Sequence, residues 1–230
     1  MIYGKNNREL IIAIDGPSGA GKSTITRLLA DRLGYVFLDT GAMYRAVALA
    51  AQRKGVAADD DGALEEICRT IRISFVRNNG CCRVILDDED VSEFIRNPEI
   101  SLLTSRISAR KVVREFMLRF QREMARDGGV ILEGRDIGTI VFPDADVKFF
   151  LSASAEERGR RRYTELKAAG KDVDLRTTIA EVMQRDEQDV RREHAPLRRA
   201  DDAVGIDSTL LTIDQVLERM ERVVRERLRA

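Results

Sequence analysis

The sequence predicts an α/β fold: a parallel sheet covered by helices on both faces, interrupted by a small antiparallel block. Three observations predict it. Short apolar runs alternate with stretches of helical periodicity along most of the chain. One glycine-rich segment joins a strand-like run directly to a helix-like one. A single region, about Ala58 to Ser101, replaces this rhythm with closely spaced short runs around a turn signal.

The first strand is Leu10-Ile11-Ile12-Ala13-Ile14, an apolar run of the kind buried on both faces of a parallel sheet. Gly16-Pro17-Ser18-Gly19-Ala20-Gly21-Lys22-Ser23 follows and fills every fixed position of the phosphate-cradling pattern G-x-x-x-x-G-K-[ST]. Thr24 to Leu33 then repeats apolar residues at helical spacing and stops at Gly34. Strand, loop and helix in that order are the setting the pattern requires. Four further core strands are predicted at Tyr35 to Leu38, Val130 to Leu132, Val147 to Leu151 and Ala203 to Ile206. Helices are predicted at Met43 to Arg53, Ser108 to Arg126, Glu156 to Ala169, Thr177 to Glu193 and Asp214 to Leu228. Capping boxes, Ser154 with Glu157 and Thr212 with Gln215, mark two of the starts. Inside the antiparallel block, Ile71 to Val76 and Arg83 to Leu86 flank Asn78-Asn79-Gly80, a hairpin signal. Val91 to Ile95 reads as a third short strand.

A chain of 230 residues accommodates one sizeable domain with a small insertion. Its formal net charge is zero, whereas a nucleic-acid binder of this size carries a basic surplus. Seven of the 39 basic residues are Lys and 32 are Arg. Arg grips phosphate through two parallel hydrogen bonds, although an Arg-favouring codon usage accounts for most of them. Cys68, Cys81 and Cys82 form no C-x-x-C pair and read as packing residues of a reducing cytosol. His194 is the one histidine, so a His base or a His-rich metal site has a single candidate. No apolar run approaches the ~20 residues that a membrane span needs, and Met1 to Glu9 lacks a signal-peptide core. The expectation is a soluble cytoplasmic protein with neither nucleic acid nor membrane as partner.

The glycines of the loop allow backbone N–H groups to curl around an anion, and the helix N-terminus adds its positive end. Lys22 would reach the β- and γ-phosphates of a nucleoside triphosphate, and the Ser23 hydroxyl would reach Mg²⁺. Gly16 to Thr24 is therefore the nucleotide-binding segment. A second set of residues follows other strands. Asp39-Thr40-Gly41-Ala42-Met43-Tyr44-Arg45 opens a helix, with Asp39 and Thr40 as caps and Tyr44 and Arg45 in its first turn. Ligands in open α/β sheets sit at the carboxyl ends of the strands, which that turn faces. Glu133-Gly134-Arg135-Asp136-Ile137-Gly138-Thr139 again lies just past a strand. Taken alone, each is equally a turn with a surface ion pair. Arg158, Arg161 and Arg162 share one helix face, and so do Arg185, Asp189 and Arg192. Such an arginine hairpin reads as a lid closing on a transferred phosphoryl group, or as two solvated, salt-bridged faces.

Taken in order, G-P-S-G-A-G-K-S, D-T-G-A-M-Y-R, E-G-R-D-I-G-T-I-V-F-P-D-A, R-D-x-x-D-x-x-R and D-S-T resemble the bacterial cytidylate (CMP) kinases, a family of P-loop nucleoside monophosphate kinases. The resemblance runs from about Ile11 to the final helix. It implies a three-layer P-loop kinase fold with a five-stranded parallel core over 9–57, 102–153 and 175–230. It also implies a monophosphate-binding insertion at 58–101 and a helical lid at 154–174. The implied reaction moves the γ-phosphoryl group of ATP to CMP or dCMP with Mg²⁺, in a monomer. By match to the family pattern, Thr40, Tyr44 and Arg45 line the monophosphate site, and Ser105, Arg114 and Asp136 reach the cytosine. Arg135 and Arg185 grip the acceptor phosphate, Arg185 and Asp189 lie near the ribose, and Arg192 lies near the base. Lys22, Arg135, Arg158, Arg162 and Arg185 are the catalytic candidates. The family often has Ser where Thr40 stands, which keeps the hydroxyl. Asp207 and Ser208 are placed on the adenine side. Asp39 and Glu133 both remain open as the acid that orders Mg²⁺. The rival readings are a kinase for AMP or shikimate, and a nucleotide switch, although the chain has no N-K-x-D motif.

Overall fold

A computed structural model describes residues 9–78 and 81–229. The chain divides into two compact units. One takes Ala125–Ala230 together with the chain up to Leu38, and the other is Asp39–Met124.

The first unit is built on five strands: β1 (Ile11–Asp15), β2 (Val36–Asp39), β6 (Val130–Gly134), β7 (Val147–Ser152) and β8 (Val204–Asp207), in the order β2-β6-β1-β7-β8. β1 runs parallel to both β6 and β7, with Ile12 opposite Ile131 and Val147, and β7 runs parallel to β8. All five predicted strands are present within a residue or two of their expected ends. Ile12, Ile14, Ile131, Phe149 and Leu151 are almost wholly buried, as parallel strands between two helical layers must be. Helices α1 (Lys22–Leu33) and α8 (Ile213–Arg229) contribute Ile25, Leu29, Leu217 and Met220 to the same core. Helices α6 (Ala155–Ala168) and α7 (Leu175–Val190) pack on each other.

The second unit holds α2 (Thr40–Arg53), α3 (Asp61–Thr70), strands β3 (Ile73–Asn78), β4 (Cys81–Leu86) and β5 (Glu89–Asp90), α4 (Pro98–Ile107) and α5 (Lys111–Met124). β3 and β4 pair antiparallel from Ile73–Leu86 to Asn78–Cys81, as the hairpin signal predicted. The turn residues Asn79 and Gly80 lie outside the described residues, as do Met1 to Arg8.

Three expectations need correction. The third strand is Glu89–Asp90, paired with Ile85 and Leu86, rather than Val91 to Ile95. Val91 and Ile95 are both buried and four residues apart, and the Ile95 N–H donates to the Val91 carbonyl at 3.1 Å. That spacing is helical, and Phe94–Arg96 forms a 3₁₀ turn. The helix predicted from Ser108 to Arg126 is the second of a pair, α4 and α5, with a tight turn at 108–110. Finally, the block read as a small antiparallel insertion also holds the helix α3 ahead of its strands.

Candidate active site

The phosphate loop leaves the carboxyl end of β1 between β6 and β7, where the strand order reverses. Its backbone explains its glycines. Gly16 has φ +149°, and a Cβ there would stand 1.9 Å from the Leu151 carbonyl oxygen of β7, so no side chain fits. Gly19 and Gly21 also have positive φ, and Gly21 caps α1. Pro17 and Ala20 are buried, while Gly19, Ser23 and Thr24 are exposed. The Lys22 ammonium is buried and donates to the carbonyls of Gly16 and Pro17, both at 2.8 Å. Burial and the nearby Arg135 lower its pKa, against the opposing pull of Glu133, Asp15 and Asp189.

The Ser23 hydroxyl donates to the Glu133 carboxylate at 2.6 Å. Glu133, on β6, is 4% exposed. Asp39 is committed elsewhere: it caps α2 by accepting from the Ala42 N–H at 2.8 Å and pairs with Arg45 at 3.1 Å. Glu133 is thus the acid beside Ser23. Arg135 and Asp136 follow β6 directly. The Arg135 Nε donates to Asp189 of α7 at 2.8 Å, and Arg192 lies 2.5 Å from the same carboxylate. Asp189 is 1% exposed. Burial opposes its charge, but Arg135, Arg192 and Arg185 outweigh burial and hold its carboxyl below the ordinary range. The predicted i, i+4 partner Arg185 is therefore one of three guanidinium groups around Asp189. Asp136 is buried and heads a wide turn, Ile137–Val141, closed by i→i−5 bonds such as Phe142 N–H to Ile137 O at 2.7 Å.

The three arginines of α6 part company. Arg158 is buried and reaches Ser18 O at 3.1 Å, Ala153 O at 2.8 Å and both oxygens of Asp186 on α7 at 2.9 and 2.5 Å. Arg161 binds Ser208, its Nη2 lying 2.9 Å from the carbonyl oxygen. Arg162 is exposed and pairs with Glu165 at 3.3 Å. Ser208 also reaches Ala20 O at 3.3 Å and Ser152 O at 3.0 Å, so the D-S-T segment underpins the loop, while the Asp207 carboxylate accepts from Thr209.

In the second unit Thr40 is buried at the start of α2, followed by Tyr44 and Arg45. The Arg114 guanidinium of α5 lies 5.7 Å over the Tyr44 ring and 3.3 Å from Ser108 O. Ser105, on α4, is half-buried, and its carbonyl accepts from the Ser108 hydroxyl. Sequence reasoning missed the partners Asp15 and Asp186. Asp15 stood in plain view before Gly16, but nothing in the pattern separates it from a strand-end residue.

The cytidylate kinase family model matches residues 12–226. A cytidylate kinase from Geobacter sulfurreducens is 72% identical over 223 residues, covering 97% of this chain and 96% of its own. One from Syntrophotalea carbinolica is 65% identical, covering 96% and 94%. One from Caldicellulosiruptor bescii is 49% identical, covering 93% and 94%. The chain belongs to the cytidylate kinase family.

Proposed function

We propose that these residues transfer the γ-phosphoryl group of ATP to CMP or dCMP, giving ADP and CDP or dCDP. Family membership over residues 12–226 carries the reading. The acceptor phosphate is already an anion near neutral pH, so no general base is needed. Catalysis consists of bringing two polyanions in line and cancelling their repulsion.

The phosphate loop Gly16 to Thr24 cradles the ATP phosphates, and Lys22 exchanges the Gly16 and Pro17 carbonyls for phosphate oxygens. Ser23 and Glu133 hold Mg²⁺, since a hydroxyl beside a buried carboxylate is an oxygen donor set that a hard cation takes. The ion, when bound, neutralises charge on the phosphates. Arg135 and Arg185 grip the acceptor phosphate, and Asp189 holds Arg135 in place for it and meets the ribose with Arg185. Arg158 and Arg162 belong to the lid, 154–174, and serve the transferred group. The monophosphate insertion is 58–101, with Thr40, Tyr44 and Arg45 binding the monophosphate. Asp136 accepts from cytosine N4, while Ser105 and Arg114 donate to O2 and N3, and Arg192 lies by the base. Uracil presents O4 where cytosine presents N4, so a carboxylate there rejects it. The enzyme acts as a cytoplasmic monomer on small-molecule substrates alone.

Steady-state ADP formation over CMP, dCMP, UMP, AMP and shikimate tests the reaction. CMP and dCMP are expected to be the best acceptors, and an equal rate with AMP or shikimate would overturn the reading. Asp136→Asn is expected to narrow the CMP-over-UMP preference by about tenfold. An unchanged preference would remove Asp136 from base recognition.

A further inference from the structure

We propose that Asp15 is a positioning residue that clamps the Arg135-Asp136 turn to the root of the phosphate loop and so fixes acceptor recognition against the donor cradle. The inference rests on the roles given above to Arg135 and Asp136.

The geometry is specific to this one side chain. Asp15 ends β1, and the next residue, Gly16, begins the cradle. Its backbone stands in register with Gly134, the last residue of β6. Its side chain continues the ladder past the strand: one carboxylate oxygen accepts from Ile137 N–H at 2.8 Å and the other from Gly138 N–H at 2.7 Å. Arg135 and Asp136 are therefore bracketed between two ties made by a single residue. The first N–H groups of a helical turn have no partner within the turn, and Asp15 satisfies two of them. Strand pairing requires none of this, because the Gly134 register is a backbone matter.

The carboxylate is an expensive way to end a strand. Asp15 is 4% exposed. Burial lifts its pKa to about 6, against the two amide bonds that lower it, with Asp136 raising it and Lys22 lowering it. Lys148 of β7 also faces this turn, its Cδ lying 3.1 Å from where a Gly138 Cβ would stand. An Asn of the same shape would avoid the buried charge but could satisfy only one of the two amides, because its NH₂ would oppose the other N–H donor. Tilting a two-residue recognition turn by about 1 Å costs up to ~10²-fold when geometry is what the turn supplies.

The experiment compares the parent with Asp15→Asn and Asp15→Ser by steady-state kinetics on CMP, UMP and ATP and by thermal unfolding. For Asp15→Asn the melting temperature at pH 7.5 is expected to match or exceed the parent's. KM for CMP should rise about tenfold with KM for ATP changed less than threefold, and the CMP-over-UMP preference should narrow. The parent-to-variant ratio of kcat/KM for CMP should shrink from pH 8 to pH 5.5 as Asp15 takes up a proton. That ratio cancels titration of the CMP phosphate itself. Equal rises in both KM values, or a melting temperature that falls in step with activity, would overturn the proposal. If Asp15→Asn does not fold, Asp15→Ser is read in its place, and failure of both overturns the proposal in favour of a purely structural role. Should Asp136→Asn shift base preference while Asp15→Asn does not, only the clamp is wrong. Should neither shift it, the reading of the turn falls first.

Discussion

The Arg158 guanidinium donates to Ser18 and Ala153 carbonyls and to both oxygens of Asp186, and it is 4% exposed. At that burial a charged group without its partner is costly. Asp186→Asn keeps the shape and removes the charge, and it is expected to lower stability by about 2 kcal/mol in urea unfolding. A loss under 0.5 kcal/mol would mean that the two carbonyls suffice. Arg135 depends on its planar fork, since Nε donates to Asp189 at 2.8 Å and Nη1 to the Gly134 carbonyl at 3.3 Å, which fixes the plane in which the guanidinium meets a phosphate. Arg135→Lys is accordingly expected to lower kcat by about 10²- to 10³-fold with little change in melting temperature. A mild loss would show that a point charge is enough. At this scale the sequence displayed residue types but few of their partners. Arg158, Arg161 and Arg162 were legible as one helical face. That Arg158 turns to the loop, Arg161 to Ser208 and Arg162 to solvent depends on neighbours as far as 140 residues away in the chain.

Local signals fared best where one element closes on itself. The Thr212–Gln215 capping box exists in both directions: Thr212 N–H donates to Gln215 Oε1 at 2.9 Å, and Gln215 N–H to Thr212 Oγ1 at 3.2 Å. The Ser154–Glu157 box is only half made. Glu157 N–H donates to Ser154 Oγ, but the Glu157 carboxylate goes to Arg161, and Thr209 takes the Ser154 N–H. Tertiary contacts overrode the local pattern there. The α4 start, which the sequence reading did not predict, carries a local signal of the same kind: Asn97 caps Ile100 N–H at 2.7 Å and Pro98 stands in the first turn. The helix predicted from Ser108 begins inside the 108–110 turn and leaves out α4, because no Gly or Pro marks the break between α4 and α5. Gly159 shows what periodicity misses entirely. It sits inside α6, where Gly costs about 1 kcal/mol relative to Ala, yet a Cβ there would stand 2.4 Å from Ile179 Cγ1 on α7. Overpacking of this kind costs about 1–3 kcal/mol. Gly159→Ala is therefore expected to destabilise the protein by roughly 1 kcal/mol net, although it improves helix propensity. Stabilisation in urea unfolding would show that α6 and α7 can separate at no cost.

Stability of the whole molecule sums carboxylates whose shifts have opposite signs. Asp189 is held below the ordinary range, so the folded state binds a proton there less readily than the unfolded chain, and its contribution is lost as pH falls. Asp15 works the other way. Its pKa is pushed up from 3.8 to about 6, so between those values the folded protein retains a proton that the unfolded chain has released. Stability therefore declines as pH rises through that window and levels off above it. The whole rise from 3.8 to about 6 corresponds to about 3 kcal/mol. Asp15→Asn removes this titration and leaves Asp189 untouched. The stability of the variant minus that of the parent is thus expected to grow by about 2 kcal/mol between pH 4 and pH 7 and then to stay flat. Urea unfolding of both proteins at half-unit steps measures it. A difference independent of pH would mean that Asp15 ionises in the folded protein as freely as in water, its two amide bonds then offsetting the whole cost of burial. A difference that shrinks with pH would mean that those bonds and Lys22 outweigh burial altogether.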